Sequence, residues 1–130
     1  MNQLLPVGVV GNRMREERHF VSAPHVFLQA WKRGVAIAGP KWFGDGTEAG
    51  LRAATKKWDL CPNLWLLNDA LAVLSGGQGL FLSAMVSFYN AEEGTAMLKQ
   101  CGFEGLSDLG RLDLERRQVI ADLVLNSSGW

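Results

Sequence analysis

The sequence predicts a mainly α-helical fold, with about six helical segments set around a central apolar helix pair. Three observations predict it. Residues 64–89 are apolar at almost every position, interrupted by Asn68 and Asp69 and by the string Ser75-Gly76-Gly77-Gln78. A helix that is apolar on all sides has to be enclosed. Residues that open helices stand just before the apolar stretches: Ser22, Thr47, Ser75, Asn90 and Asp113. Such side chains accept the free N–H groups of a first turn. Residues that close helices follow, namely Gly34, Gly102 and Ser127-Ser128-Gly129.

Taken in order, residues 1–21 read as extended. Val7, Val9 and Val10 favour strands, and Gly11-Asn12 is a turn-type pair, so 13–21 returns as a second strand of a short β-hairpin. That reading makes the fold α+β with a minor hairpin. The competing reading is a short helix over 14–20, because Arg15-Glu16-Glu17-Arg18 favours helix. Ser22-Ala23-Pro24 then opens a helix to about Arg33, with Gly34 as its stop. In residues 34–46, Val35 to Ala38 read as a short strand and the rest as a glycine-rich loop that carries Trp42 and Phe43, a pair that either packs onto the body or meets a partner. Thr47 starts a helix to about Trp58, with Leu51, Ala54 and Trp58 facing inward. Pro62 opens the first member of the central pair, to about Leu74, and Ser75 opens the second. In the second, Gly79, Ser83 and Ser87 recur every fourth residue. That stripe of small residues suits close approach by another helix. Asn90 opens a helix to Cys101, Ser107 caps a short turn, and Asp113 caps a last helix to Asn126. Its expected buried positions are Leu114, Val119, Ile120, Leu123 and Val124.

The 130 residues suit one domain, 1–130, made of an extended N-terminal segment (1–21) and a helical body (22–130). Apolar residues make up 48% and charged residues 20%, a globular composition. Thirteen basic and thirteen acidic residues balance, but residues 1–66 carry 9 − 5 = +4 and residues 67–130 carry 4 − 8 = −4. Cys61 and Cys101 lie outside any ligand spacing. Free thiols of that kind, with no leader-like N-terminus and no long apolar run, point to the cytoplasm.

The strings that resemble known chemistry do not carry it. Leu74-Ser75-Gly76-Gly77-Gln78 is similar in letters to the signature of ABC-type ATPases. That resemblance implies a phosphate loop and a Walker-B aspartate. Neither is present, and Gly79-Leu80-Phe81-Leu82 follows where basic residues belong. The string reads instead as a glycine-rich turn closed by a capping box. Residues 34–41 approximate a phosphate loop, but Pro40 stands where its lysine belongs. His19, His25, Cys61 and Cys101 lack zinc spacing. Cys61 with His25 is the least poor nucleophile pair, and it requires a spatial adjacency that sequence does not give. No cofactor, metal or catalytic residue is predicted.

The leading expectation is a small non-enzymatic module that binds another protein or a second copy of itself, in an accessory or regulatory role. Its candidate contacts are Trp42, Phe43 and Trp130, because tryptophan is enriched at binding hot spots. One alternative is a nucleic-acid-associated regulator with a basic face of Arg13, Arg15, Arg18, Lys32, Arg33, Lys41, Arg52, Lys56 and Lys57. The other is a small enzyme or ligand carrier with a pocket between loop 34–46 and the central helices. No membrane partner is expected.

Overall fold

A computed structural model describes the chain from Val7 to Trp130, with side chains from Val10 onward. Among these residues the order is α1 (Val7–Ala38), a 3-10 turn (Pro40–Trp42), α2 (Glu48–Ala53), a 3-10 turn (Lys57–Leu60) and α3 (Leu64–Ala70). After α3 come a 3-10 turn (Leu71–Val73), α4 (Gly76–Tyr89), α5 (Ala91–Gln100), a 3-10 turn (Leu106–Arg111) and α6 (Leu114–Asn126). The fold is mainly α. The described residues contain no strand, only an isolated antiparallel bridge between Phe43 and Pro62.

The centre is α4. Ser75 and Gln78 close its start: the Ser75 hydroxyl accepts the Gln78 N–H at 3.2 Å, and the Gln78 side-chain oxygen accepts the Ser75 N–H at 3.3 Å. All eight residues from Gly79 to Val86 are then buried, as an all-apolar helix requires. The small-residue stripe faces α5. Ser83 Oγ lies 3.6 Å from Cys101 Sγ, and the backbone of Ser87 lies against Gly94. Ser83 also donates to the Gly79 carbonyl at 2.7 Å, so its buried hydroxyl is satisfied inside its own helix. The stripe is a packing surface.

α1 and α6 run antiparallel: Gly34 meets Val119, Arg33 pairs with Asp122, and His19 meets the Leu125 carbonyl. Their shared face supplies Phe27, Ala30, Trp31 and Val35 from α1, and Val119, Ile120 and Leu123 from α6. Trp31 is fully buried, and its indole N–H donates to the Leu60 carbonyl at 2.9 Å.

Several sequence expectations are corrected. The N-terminal hairpin is absent from residues 7–21, which are the first half of α1, while residues 1–6 lie outside the described part. Local charge decides this: Arg13, Glu16, Glu17 and Arg18 suit helix, and no second hydrophobic layer exists there to hold a strand pair. Gly34 does not end the first helix, which continues to Ala38. A Cβ at Gly34 would stand 2.7 Å from Met85 Cε and 3.1 Å from Val119 Cγ1, so glycine lets α1 lie close to both. The helix opened by Thr47 ends at Ala53 rather than near Trp58. The Asp59 carboxylate accepts the N–H groups of Thr55 (3.0 Å) and Lys56 (3.2 Å) and starts a new turn instead. The first member of the central pair is short and only partly enclosed, with Trp65 78% and Val73 85% exposed. On α6, Leu114 and Val124 are exposed, because only the face of Val119, Ile120 and Leu123 meets α1 and α4.

Aspartates cap two of the 3-10 turns and α6. Asp59 accepts N–H from Thr55 and Lys56, Asp108 from Glu104 (2.7 Å) and Gly105 (3.1 Å), and Asp113 from Arg116 (3.0 Å). Backbone N–H donors, from Thr55, Glu104 and Arg116 respectively, hold each carboxyl below its ordinary value. A depressed folded pKa gives stability that is complete above the unfolded pKa and is lost as pH falls through the folded one. Urea unfolding should therefore give constant stability down to about pH 5 and a steepening loss below about pH 4. Asp113→Asn should reduce that acid loss. An unchanged acid profile would contradict the capping account.

Candidate interaction surface

Two of the three expected contact residues are inside the body. Trp42 is buried, with Lys41 Nζ 4.3 Å from the centre of its ring. Phe43 is buried edge-on against Trp31, with ring centres 5.7 Å apart. The loop is clamped to residues 61–63 by Gly44 N–H to the Cys61 carbonyl (2.9 Å) and Asn63 N–H to the Trp42 carbonyl (2.8 Å). Gly44 makes the turn at φ 58°, and a Cβ there would lie 2.4 Å from the Asp59 carbonyl oxygen. Only glycine fits, and the turn directs both aromatics inward. Trp130 is half-buried and folds back as a lid. Its ring centre lies 4.8 Å from that of Trp31, 5.1 Å from Tyr89, 5.9 Å from Trp58 and 6.0 Å from Phe27. Its indole N–H is buried without an acceptor.

The exposed aromatics are others: Trp58, Trp65 and Phe20. Helical spacing placed Trp58 inward on a helix that in fact ends at Ala53, and Trp65 was hidden in a run with no polar face to orient it. The signal available for Trp65 was its neighbourhood: Asn68 and Asp69 follow at helical spacing and mark the solvent side.

Seven of the nine basic residues of the expected basic face have separate engagements. Lys32 donates to the Ala54 carbonyl at 2.9 Å, at the end of α2, whereas its neighbour Arg33 pairs with Asp122 on α6. Arg52 pairs with Glu48, and Lys57 donates to the Gly129 carbonyl at 2.7 Å. Lys41 lies over Trp42. Arg13, Arg15 and Arg18 sit on the first half of α1, where Arg15 bonds the Asn12 side chain and Arg18 the Met14 carbonyl. Lys56 is exposed beside Lys57 and lines a groove with His25.

The expected pocket between loop 34–46 and the central helices is small. The space bounded by Ile37, Trp42, Leu74, Gln78, Phe81 and Arg116 measures about 40 Å³. That is room for a few waters, against the several hundred cubic ångströms of a small-molecule site. Among the described residues no three His, Cys, Asp or Glu side chains converge. No hydrogen bond there joins Cys61 to His25. Burial pushes the Cys61 thiol up from its ordinary value, against the pull of nearby Tyr89 and Trp130. No helix there is long and apolar enough to cross a membrane.

The largest feature without an internal partner is the first half of α1. From Val10 to Ser22 no residue is buried, whereas Ala23, Phe27, Leu28, Ala30 and Trp31 are. Pro24 stands at that boundary. It lacks the N–H that would bond to residue 20, and its ring crowds that carbonyl, so the helical ladder is interrupted where the arm leaves the body. The first hydrogen bond from this half to the body is at His19, whose Nε2 lies 2.7 Å from the Leu125 carbonyl near the end of α6, and Asn12, Arg15 and Glu16 share an open concavity with Leu125. Beyond His19, residues 7–18 extend about 17 Å at the rise of a helix. Met14 and Val21 lie on one face with Glu17 and Arg18, where they line a shallow concavity. Val10, four residues before Met14, is 40% exposed.

What these features define is a helical body with a protruding helical arm. No protein family, curated protein or solved structure was found to match the chain.

Proposed function

We propose that this chain is a protein-binding module acting through the free half of α1, and that the arm pairs with the arm of a second copy. The observation that carries this reading is a helix of more than a dozen residues with no buried side chain, although Val10, Met14, Phe20 and Val21 are apolar. Isolated helices of about 12–15 residues are marginal in water. Interruption of the ladder at Pro24 weakens support from the packed half as well. Such an arm gains stability by covering its apolar face with another helix. Its charges suit a copy of itself. Arg13, Arg15, Glu16, Glu17 and Arg18 interleave both signs, so an antiparallel arm meets acids with bases. The thirteen residues from Val10 to Ser22 are fewer than the roughly 20–30 a side of a standard interface, so pairing should be weak and concentration-dependent.

Light scattering from micromolar to millimolar concentration tests this. The wild-type mass should rise from one subunit toward two. Met14→Glu combined with Val21→Glu should remain monomeric, with the same thermal unfolding as the wild type, because neither side chain supports the body. Equal masses for the two proteins at every concentration would overturn the reading.

A further inference from the structure

A second surface, one helical turn along α1 from Val21, is the groove between the middle of α1, residues 55–58 and the C-terminal tail. We infer that it is a binding site for a small planar anion, an aromatic ring bearing a carboxylate or a phosphate. The groove has a volume of about 390 Å³ and is partly enclosed. That lies within the range of small-ligand sites, about 300–1,000 Å³. Three segments far apart in sequence build it: α1 contributes Pro24, His25, Phe27 and Leu28, the stretch after α2 contributes Thr55 to Trp58, and the end of α6 with the tail contributes Asn126 and Ser128.

The lining has one chemical character. It holds two lysines, a histidine, two hydroxyls, an amide and apolar rings, and no carboxylate. In a chain with equal numbers of acids and bases, that is a local excess of positive charge. The nearest acid in sequence, Asp59, accepts the backbone N–H groups of Thr55 and Lys56 and lies 3.5 Å from the Thr55 hydroxyl, so it offsets part of the Lys56 charge without lining the groove itself. Lys57 is held in place rather than loose. Its ammonium donates to the Gly129 carbonyl at 2.7 Å and lies 5.2 Å from the Trp130 ring centre and 5.5 Å from that of Phe27. An ammonium has three donors, so two remain for an anion in the groove. Trp58 supplies the planar surface. It is 57% exposed, and the edge contact with Trp130, 5.9 Å between ring centres at 77°, fixes its orientation. A fixed, solvent-facing indole beside two ammonium groups suits stacking of a ring whose anionic substituent reaches the lysines.

The test uses the full chain and four probes: adenosine 5′-monophosphate, benzoate, adenosine and inorganic phosphate. Binding is followed by the Trp58 indole N–H and the amides of 55–58 and 128 in ¹H–¹⁵N spectra. The nucleotide or benzoate should shift these signals saturably at millimolar concentration or below, and whichever binds more tightly identifies the class of source. Adenosine, lacking charge, and phosphate, lacking a ring, should each bind at least about tenfold more weakly. Trp58→Ala and Lys56→Gln, both at exposed positions, should each weaken binding by about tenfold while leaving signals away from the groove and Trp130 unchanged. Absence of saturable shifts with either ring-bearing anion would overturn the proposal. So would equal affinity for adenosine, or tighter binding of a single-stranded oligothymidylate on the same residues, which would make the groove part of a nucleic-acid surface. None of these outcomes bears on the pairing of the arms, which light scattering reads separately.

Discussion

Gly94→Ala should destabilise the protein by about 3 kcal/mol, at the upper end of the usual cost of overpacking. The opposite sign would be the ordinary expectation, since alanine is favoured over glycine inside a helix by about 1 kcal/mol. The crossing of α4 and α5 reverses it. A Cβ on Gly94 would stand 2.3 Å from Ser87 Cα, 2.4 Å from Ser87 N and 2.7 Å from Ser87 Cβ. Two of these are backbone atoms, so no rotamer change relieves the contact. Asn90 ties the two helices end to end, closing α4 and capping α5 through the Glu93 N–H at 3.0 Å. They separate only by breaking the contacts of Met97 and of the Gly79–Ser83–Cys101 group. In thermal unfolding the midpoint should fall by about 10 °C. Gly11→Ala serves as the control, because it lies in the free half of α1 with nothing within 4 Å of a new Cβ. That change should leave the midpoint unchanged or raise it. A stabilised Gly94→Ala would show that the helices do not cross where described.

Trp31→Ala should cost about 3–5 kcal/mol, the range for truncating a buried aromatic side chain. Trp31 is the hub of the aromatic group. It stacks on Phe27 at 5.9 Å and 13°, meets Phe43 edge-on, and lies beneath Trp130. Removing it leaves the Leu60 carbonyl without its side-chain donor and removes the surface on which Trp130 rests. Against a total stability of typically about 5–15 kcal/mol, the loss is large. Trp31→Phe keeps much of the packing and loses the N–H, so it should cost less, on the order of 1–2 kcal/mol. Urea unfolding of the two variants orders these effects. If Trp31→Ala proved no worse than Trp31→Phe, the ring would not be enclosed as described.

What the sequence made legible was local chemistry. Capping reads directly from side-chain type, and Thr47, Ser75, Asn90 and Asp113 all accept the N–H three residues on. Gly102, at φ 79°, follows α5 as the spacing predicts. The enclosure of α4 follows from its unbroken apolar run, and the role of its small-residue stripe from the four-residue spacing of Gly79, Ser83 and Ser87. What stayed hidden depends on neighbours that only the fold supplies. Val7, Val9 and Val10 with Gly11-Asn12 imitate a strand and turn, yet the chain continues from a packed helix and stays helical through them. Gly34 has the form of a helix stop, but the close passage of Met85 and Val119 gives it another reason to be glycine. For Trp42 and Phe43, on a glycine-rich loop, the sequence allowed either packing onto the body or contact with a partner. Their direction is set by one left-handed residue and by a clamp to residues 61–63. Two of the three aromatics named from sequence lie in the core and Trp130 covers it, while Trp58 and the apolar side chains of the arm are exposed.

Amide hydrogen exchange along α1, measured at increasing protein concentration, tests the central claim most directly. Residues 27–38 should be protected throughout. Residues 10–20 should exchange freely in the dilute monomer and slow in step with the rise in mass seen by light scattering. Protection of 10–20 in the dilute monomer, or free exchange in a solution that is already dimeric, would contradict a free arm that pairs with its copy.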